Sequence, residues 1–141
     1  MLFFGNARVM SNILLSGILD RHPTIKFVSV ESGLGWIPFL LETLEYQLAE
    51  NAATTKFSLT PREYFLRNMY ASFWFESRNL ADSVRQVGVD NVMFETDFPH
   101  PTCLYPAPME QAAQGLAQLD QASRRKILSE NAAKLYRIPI N

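Results

Sequence analysis

From Asn6 to Arg21 the apolar residues Val9, Met10, Ile13, Leu14 and Ile18 fall on one helical face, which predicts a helix with Asn6 as N-cap and Pro23 as stop. The run Ile25 to Val30 is β-branched and aromatic and is bounded by His22-Pro23 and Ser32-Gly33, the pattern of a strand. Leu34, Ile37, Leu41, Leu44 and Leu48 then recur at steps of three and four, with Pro38 early enough to sit in a first helical turn. Periodicity lapses from Asn51 to Ser58, which reads as loop. Thr60-Pro61-Arg62-Glu63 supplies a cap, an N1 proline and an acidic N3 residue for a short helix.

Tyr70 to Phe75 is the second strand. Ser77 is the expected cap of a helix that buries Leu80, Val84 and Val87 and closes at Gly88 in left-handed backbone. Asn91 to Thr96 is the third strand. Pro99, Pro101, Pro106 and Pro108 make Phe98 to Pro108 an extended loop, and helices around Met109 to Leu119 and Gln121 to Tyr136 complete the pattern. Helices alternating with strands produce parallel strands joined by right-handed crossovers. Three such strands form a thin α/β sheet with two open edges, which is either incomplete or borrows neighbours. No repeat or linker divides the chain, so residues 1–141 are expected to form a single domain.

Composition narrows the class. The 141 residues are 48% hydrophobic and 19% charged, which excludes a disordered or low-complexity chain. Thirteen Lys and Arg against fourteen Asp and Glu give a net charge of −1, without the basic excess of a nucleic-acid binder. No apolar run approaches the roughly 20 residues of a membrane span, and the opening Met1 to Gly5 is too short for a signal-peptide core. The single Cys103 forms no internal disulfide and no Cys-based zinc motif, which fits a reducing, cytoplasmic setting.

Parallel α/β sheets bind ligands beyond the C-terminal ends of their strands. Glu31 follows the first strand, Glu76 the second, and Glu95 and Asp97 the third. A carboxylate near a buried strand end requires a partner, a hydrogen bond or a cation. Asp97 can ligate a metal or take a proton from metal-bound water; it can equally cap the turn into the proline loop. Glu31 is either a catalytic carboxylate or a loop residue, Glu76 favourable charge for a first helical turn, and Glu95 shares or supports the site. His100, between two prolines, is a substrate contact or a loop residue. His22 complements a helix C-terminus. Phe73, Trp74 and Phe75 cannot all face one side of a strand, so core is their default place and one of them, taken as Trp74, is the candidate wall of a substrate pocket.

The run Val92-Met93-Phe94-Glu95-Thr96-Asp97-Phe98-Pro99-His100-Pro101 resembles the final barrel strand of the amidohydrolase-related metal-dependent hydrolases, a group that includes aminocarboxymuconate semialdehyde decarboxylase. The closing ILSENAAKLYRI is similar to that family's C-terminal helix, FVSVESGLGWIPFLLE to its sixth strand and helix, and PREYFLRNMYASFWFE to its approach to the seventh strand. The resemblance covers essentially the whole chain. It implies a partial (β/α)8 TIM barrel of which this chain supplies the last three strands, since a complete barrel takes roughly 250 residues.

It further implies a divalent metal, expected to be zinc, held in the complete barrel by a His-x-His pair, a fifth-strand His and an eighth-strand Asp. Only the Asp has a counterpart, Asp97, and the sequence contains no His-x-His. A catalytic zinc site needs about three protein ligands, so the chain by itself is expected to be inactive. Decarboxylases of the family commonly carry a His at the end of the sixth strand, where this chain has Glu31. The expectation is therefore a hydrolase whose metal-activated water attacks a small organic acid, ester or amide, with Asp97 and Glu31 catalytic and His100 and Trp74 contacting substrate. The alternatives are a metal-dependent decarboxylase of an unsaturated or aromatic acid, and a non-catalytic half-barrel that forms a homo-oligomer through its strand edges or helix faces.

Overall fold

The structure, a computed structural model, describes residues 2–51 and 56–140. Its strands are β1 (Phe27–Ser29), β2 (Met69–Phe73) and β3 (Val92–Phe94), in the order β1-β2-β3. All pairings are parallel: Phe27 lies opposite Met69, and Ala71 opposite Val92. The helices are α1 (Leu2–Leu15), α2 (Ile18–Arg21), α3 (Ile37–Glu50), α4 (Pro61–Asn68), α5 (Leu80–Val87), α6 (Pro108–Gly115), α7 (Gln121–Arg125) and α8 (Asn131–Tyr136). A π-helical turn, Lys126–Glu130, joins α7 to α8, so the helix expected from Gln121 to Tyr136 is continuous in direction. The loop expected over Asn51 to Ser58 falls in part on residues 52–55, which lie outside the described residues.

The alternation of apolar positions builds one core. Leu14 of α1, Ile37 and Leu41 of α3, Phe65 of α4, Val84 of α5, Leu116 and Ile127 pack around Ala71 and Phe73 of the central strand, all almost fully buried. Fully burying a large apolar side chain contributes about 1.5–3 kcal/mol, so these contacts dominate the stability. The capping box predicted for α4 is formed: Thr60 accepts from the Glu63 N–H while the Glu63 carboxylate accepts from the Thr60 N–H.

Several local expectations are corrected. The first helix begins at Leu2 and breaks at Ser16-Gly17, where Gly17 takes φ 71°. Asn6 is therefore inside α1 rather than at its cap. Its amide donates instead to Ser29 Oγ, Val30 O and Ser32 Oγ, fastening α1 to the exit of β1. Asn79, not Ser77, occupies the cap position of α5, without a side-chain capping bond. Gly88 closes α5 at φ 110°, ψ 120°, a glycine conformation outside the left-handed helical well.

At the N-terminal end of the sheet three buried asparagines repeat one device. Asn68, entering β2, donates its amide to Pro23 O and Ile25 O ahead of β1. Asn91, entering β3, donates to Leu66 O and Met69 O around the start of β2. Asn131 of α8 donates to Val89 O and Val92 O around the start of β3. Each amide donates to two carbonyls around a strand start, and ties one βα unit to the next. This fixes the N-terminal end as structural and leaves the opposite end for chemistry.

Candidate functional site

Beyond the C-terminal ends of the strands the chain gathers its carboxylates. Glu31, two residues past β1, and Asp97, three past β3, hold left-handed backbone at φ 53° and 58°. Such a conformation costs a non-glycine residue roughly 1–3 kcal/mol and is found where surrounding contacts impose it. The contact at Glu31 is its own N–H, which donates to Glu95 Oε1 at 2.8 Å. Glu95 is anchored in turn by its N–H to Phe73 O at 3.0 Å, a continuation of the β2–β3 ladder. The Ser72 hydroxyl of β2 stands 3.3 Å from Ser29 O of β1 and has the Glu95 carboxylate as the alternative acceptor for its one proton.

Burial pushes the Glu95 carboxyl above the usual carboxylate range, against the Ser72 and Glu31 hydrogen bonds that hold it down, and the charges of Glu31 and Asp97 push it further up. The three carboxylates are thus electrostatically coupled and mutually repulsive. Among the described residues no Lys or Arg side chain bonds to any of them.

Asp97 also organises the loop that follows. Its carbonyl accepts the His100 N–H at 2.8 Å, and the loop closes through Cys103 N–H to His100 O and Leu104 N–H to Thr96 O. Its side chain, 10% exposed, places Oδ2 3.0 Å from His100 Nδ1, and the Thr102 hydroxyl donates to the same oxygen at 3.1 Å. Oδ1 accepts no hydrogen bond among the described residues. The structure brings Asp97 and His100 together and adds Thr102, which sequence reasoning missed. Asp97 serves the turn through its carbonyl and one carboxylate oxygen, leaving the other for a ligand.

Trp74 is half-buried, with its ring edge-to-face against Phe75 at 4.7 Å between centroids. No hydrogen bond joins it to Glu31, Asp97 or His100 among the described residues. Glu76 has a different task. Its Oε1 accepts the N–H groups of Leu34 and Gly35 at 2.8 and 3.0 Å, clamping the loop that leads from Glu31 into α3. Its Oε2 is buried without a partner among the described residues, and burial pushes the Glu76 carboxyl above the usual range despite those two N–H bonds. His22 is the C-cap of α2, its backbone N–H donating to Ile18 O. Among the described residues no three His, Cys, Asp or Glu side chains converge as a set of metal ligands. No described helix is long and apolar enough to cross a membrane.

Residues 6–138 match the family model described as amidohydrolase. The gamma-resorcylate decarboxylase of Rhodococcus jostii is 29% identical over 130 residues, covering 89% of this chain and 38% of that protein. The 5-carboxyvanillate decarboxylase of Sphingomonas paucimobilis superposes with a TM-score of 0.72 at 32% identity, over 92% of this chain and 38% of its own. A dihydroxybenzoic acid decarboxylase of Polaromonas sp., solved with manganese and the inhibitor 2-nitroresorcinol, shares the fold with a TM-score of 0.76 at 23% identity, over 96% of this chain and 40% of its own. The chain spans 37–38% of the length of the curated relatives it matches.

Proposed function

The chain belongs to the amidohydrolase family, and from that premise we propose that residues 1–141 are the C-terminal portion of a (β/α)8 barrel that decarboxylates a hydroxylated aromatic acid with a divalent metal. The sequence placed hydrolysis first because Glu31 stands where a His would favour decarboxylation. The close relatives are named for decarboxylation of aromatic acids, which moves the weight to that alternative. The observation that carries the reading is that Glu31, Glu95 and Asp97 follow adjoining strand ends with like charges that raise the Glu95 carboxyl, and that Asp97 Oδ1 accepts no hydrogen bond among the described residues.

Asp97 fits one corner of a metal site, and the described residues do not supply a complete ligand set. A divalent ion such as zinc or manganese, when bound, would polarise the oxygens of the substrate's carboxylate and neighbouring hydroxyl. The chain's own groups do the rest. Asp97 presents one carboxylate oxygen at a fixed angle because Oδ2 is held by His100 and Thr102. Loss of carbon dioxide leaves the electron pair of the broken carbon–carbon bond on the ring, and that carbon must take up one proton. Glu31, held at the mouth by its N–H to Glu95, is the group assigned to pass it. His100, 56% exposed, faces the substrate's hydroxyls.

The test is elemental analysis of the purified chain after size exclusion, with Asp97→Ala alongside, followed by carbon dioxide release from gamma-resorcylate and 5-carboxyvanillate. Metal retained by wild type and lost in Asp97→Ala, together with carbon dioxide release, supports the reading. Cleavage of an ester or amide without carbon dioxide release would return hydrolysis to first place.

A second reading is favoured by the open edges of β1 and β3 and by the exposed Leu2, Phe4 and Val9 on α1. It makes the chain a non-catalytic half-barrel that associates with itself. An oligomer by light scattering that stays free of metal and releases no carbon dioxide even when mixed with a chain supplying the other barrel strands would select it over the first.

A further inference from the structure

Thr102 lies five residues beyond Asp97, and its hydroxyl completes a closed triangle. Oγ1 stands 3.1 Å from Asp97 Oδ2 and 2.9 Å from His100 Nδ1, while Nδ1 stands 3.0 Å from the same Oδ2. An ionised carboxylate oxygen only accepts, and a hydroxyl has one proton to give. If Thr102 gives that proton to Oδ2, its own lone pairs face Nδ1, so Nδ1 must carry a proton to bond either neighbour. The other tautomer would aim a bare nitrogen lone pair at a carboxylate oxygen 3.0 Å away.

We infer that Thr102 is a positioning residue which, with Asp97, holds neutral His100 as its Nδ1–H tautomer and leaves Nε2 bare as a hydrogen-bond acceptor for a hydroxyl-bearing ligand. The loop is built to keep this geometry, because His100 N–H to Asp97 O and Cys103 N–H to His100 O fix the backbone on both sides of the ring. Exposure follows the same division: Asp97 is 10% exposed and His100 56%, so one edge of the ring is committed to the triangle while much of the rest is open. An imidazole in water favours the proton on Nε2, so the site reverses the ordinary preference. The functional consequence rests on Asp97 and His100 belonging to the substrate site, whereas the tautomer is a property of the chain without metal or substrate.

The chain contains two histidines, which makes the measurement direct. Ring nitrogens are read by 15N NMR of histidine-labelled chain at alkaline pH, with His22→Gln giving the assignment. His100 is expected to show Nδ1 as the proton-bearing nitrogen in the majority form, while exposed His22 shows Nε2. Thr102→Val, which removes the hydroxyl bonded to both Nδ1 and Oδ2 while Asp97 stays, should lower the Nδ1–H share of His100, Thr102→Ser should preserve it, and Asp97→Ala should invert it. A wild-type His100 with its proton mainly on Nε2 overturns the inference, as does a folded Thr102→Val chain with an unchanged ratio. Should Thr102→Val fail to fold, the wild-type comparison with His22 and the Thr102→Ser spectrum decide. Failure of metal retention or decarboxylation leaves these spectra unaltered, so the two readings fail separately.

Discussion

The backbone N–H of Glu31 donates to the carboxylate of Glu95 at 2.8 Å, joining the exit of the first strand to the exit of the third across the second. This one bond explains how Glu31 is held at φ 53° and why Glu95, though half-buried, is retained at the mouth of the sheet. Two opposed effects meet at Glu95, the bond it accepts and the charge it buries, and substitution separates them.

Glu95→Ala removes the acceptor and leaves the Glu31 N–H unpaired, a loss of about 1–2 kcal/mol. Glu95→Gln keeps an acceptor oxygen and removes a buried charge that Glu31 and Asp97 repel. At neutral pH the Gln variant is expected to match or exceed wild type in urea denaturation while the Ala variant falls below it. Equal losses in both would mean that the charge, not the bond, stabilises the loop.

Glu76 gives a pH dependence of definite sign. Burial raises its carboxyl above the ordinary 4.5 in the folded chain. The folded state therefore binds this proton more tightly than the unfolded state, and the protonated form costs nothing. Its contribution is most favourable below 4.5 and is lost as pH rises from there through the folded value. Glu76→Gln keeps an acceptor for Leu34 and Gly35 and replaces the orphaned oxygen with an uncharged group. Its denaturation midpoint should decline less than that of wild type between mildly acidic and neutral pH; parallel profiles for the two would refute the assignment.

Asn91 tests the opposite end of the sheet. Its buried amide donates to Leu66 O and Met69 O, and both carbonyls would lose their partner in Asn91→Ala. The expected cost is about 2–4 kcal/mol, from two lost hydrogen bonds with buried acceptors left behind. Asn91→Asp, which offers no donor and places a carboxylate among carbonyls, should be worse than Ala at neutral pH. Chemical denaturation of the three chains gives the order directly, and an Asp variant as stable as wild type would contradict it.

What the sequence disclosed depends on the range over which each residue acts. The strands are short apolar runs, and the box of Thr60 with Glu63 spans three residues, so local pattern finds them. Glu31 and Asp97 are legible because a strand end is legible. Asn6 is a good cap by type, yet its partners at Ser29, Val30 and Ser32 lie more than twenty residues away, and no local rule carries that information. Thr102 was missed because its role depends on a turn in which the Asp97 carbonyl receives the His100 N–H, which folds residue 102 back onto the carboxylate. The signal available was the spacing alone, a hydroxyl five residues after Asp97 and two after His100.

Gly33 and Glu76 form a steric pair that can be resolved by a double-mutant cycle. Gly33 has φ +70°, and a β-carbon there would meet Glu76 Oε1 at 2.8 Å and its carboxyl carbon at 2.9 Å. Gly33→Ala therefore adds two costs. One is left-handed backbone for a residue with a β-carbon, roughly 1–2 kcal/mol. The other is displacement of a carboxylate that holds two N–H groups, each bond contributing about 1 kcal/mol. In a Glu76→Ala background the second cost is already incurred, so Gly33→Ala should lose only the backbone part. The two substitutions should then fall short of additivity by about 1 kcal/mol or more, as residues in contact do. Additive losses would mean that the carboxylate moves aside freely, and would remove Glu76 as the clamp on the loop that follows Glu31.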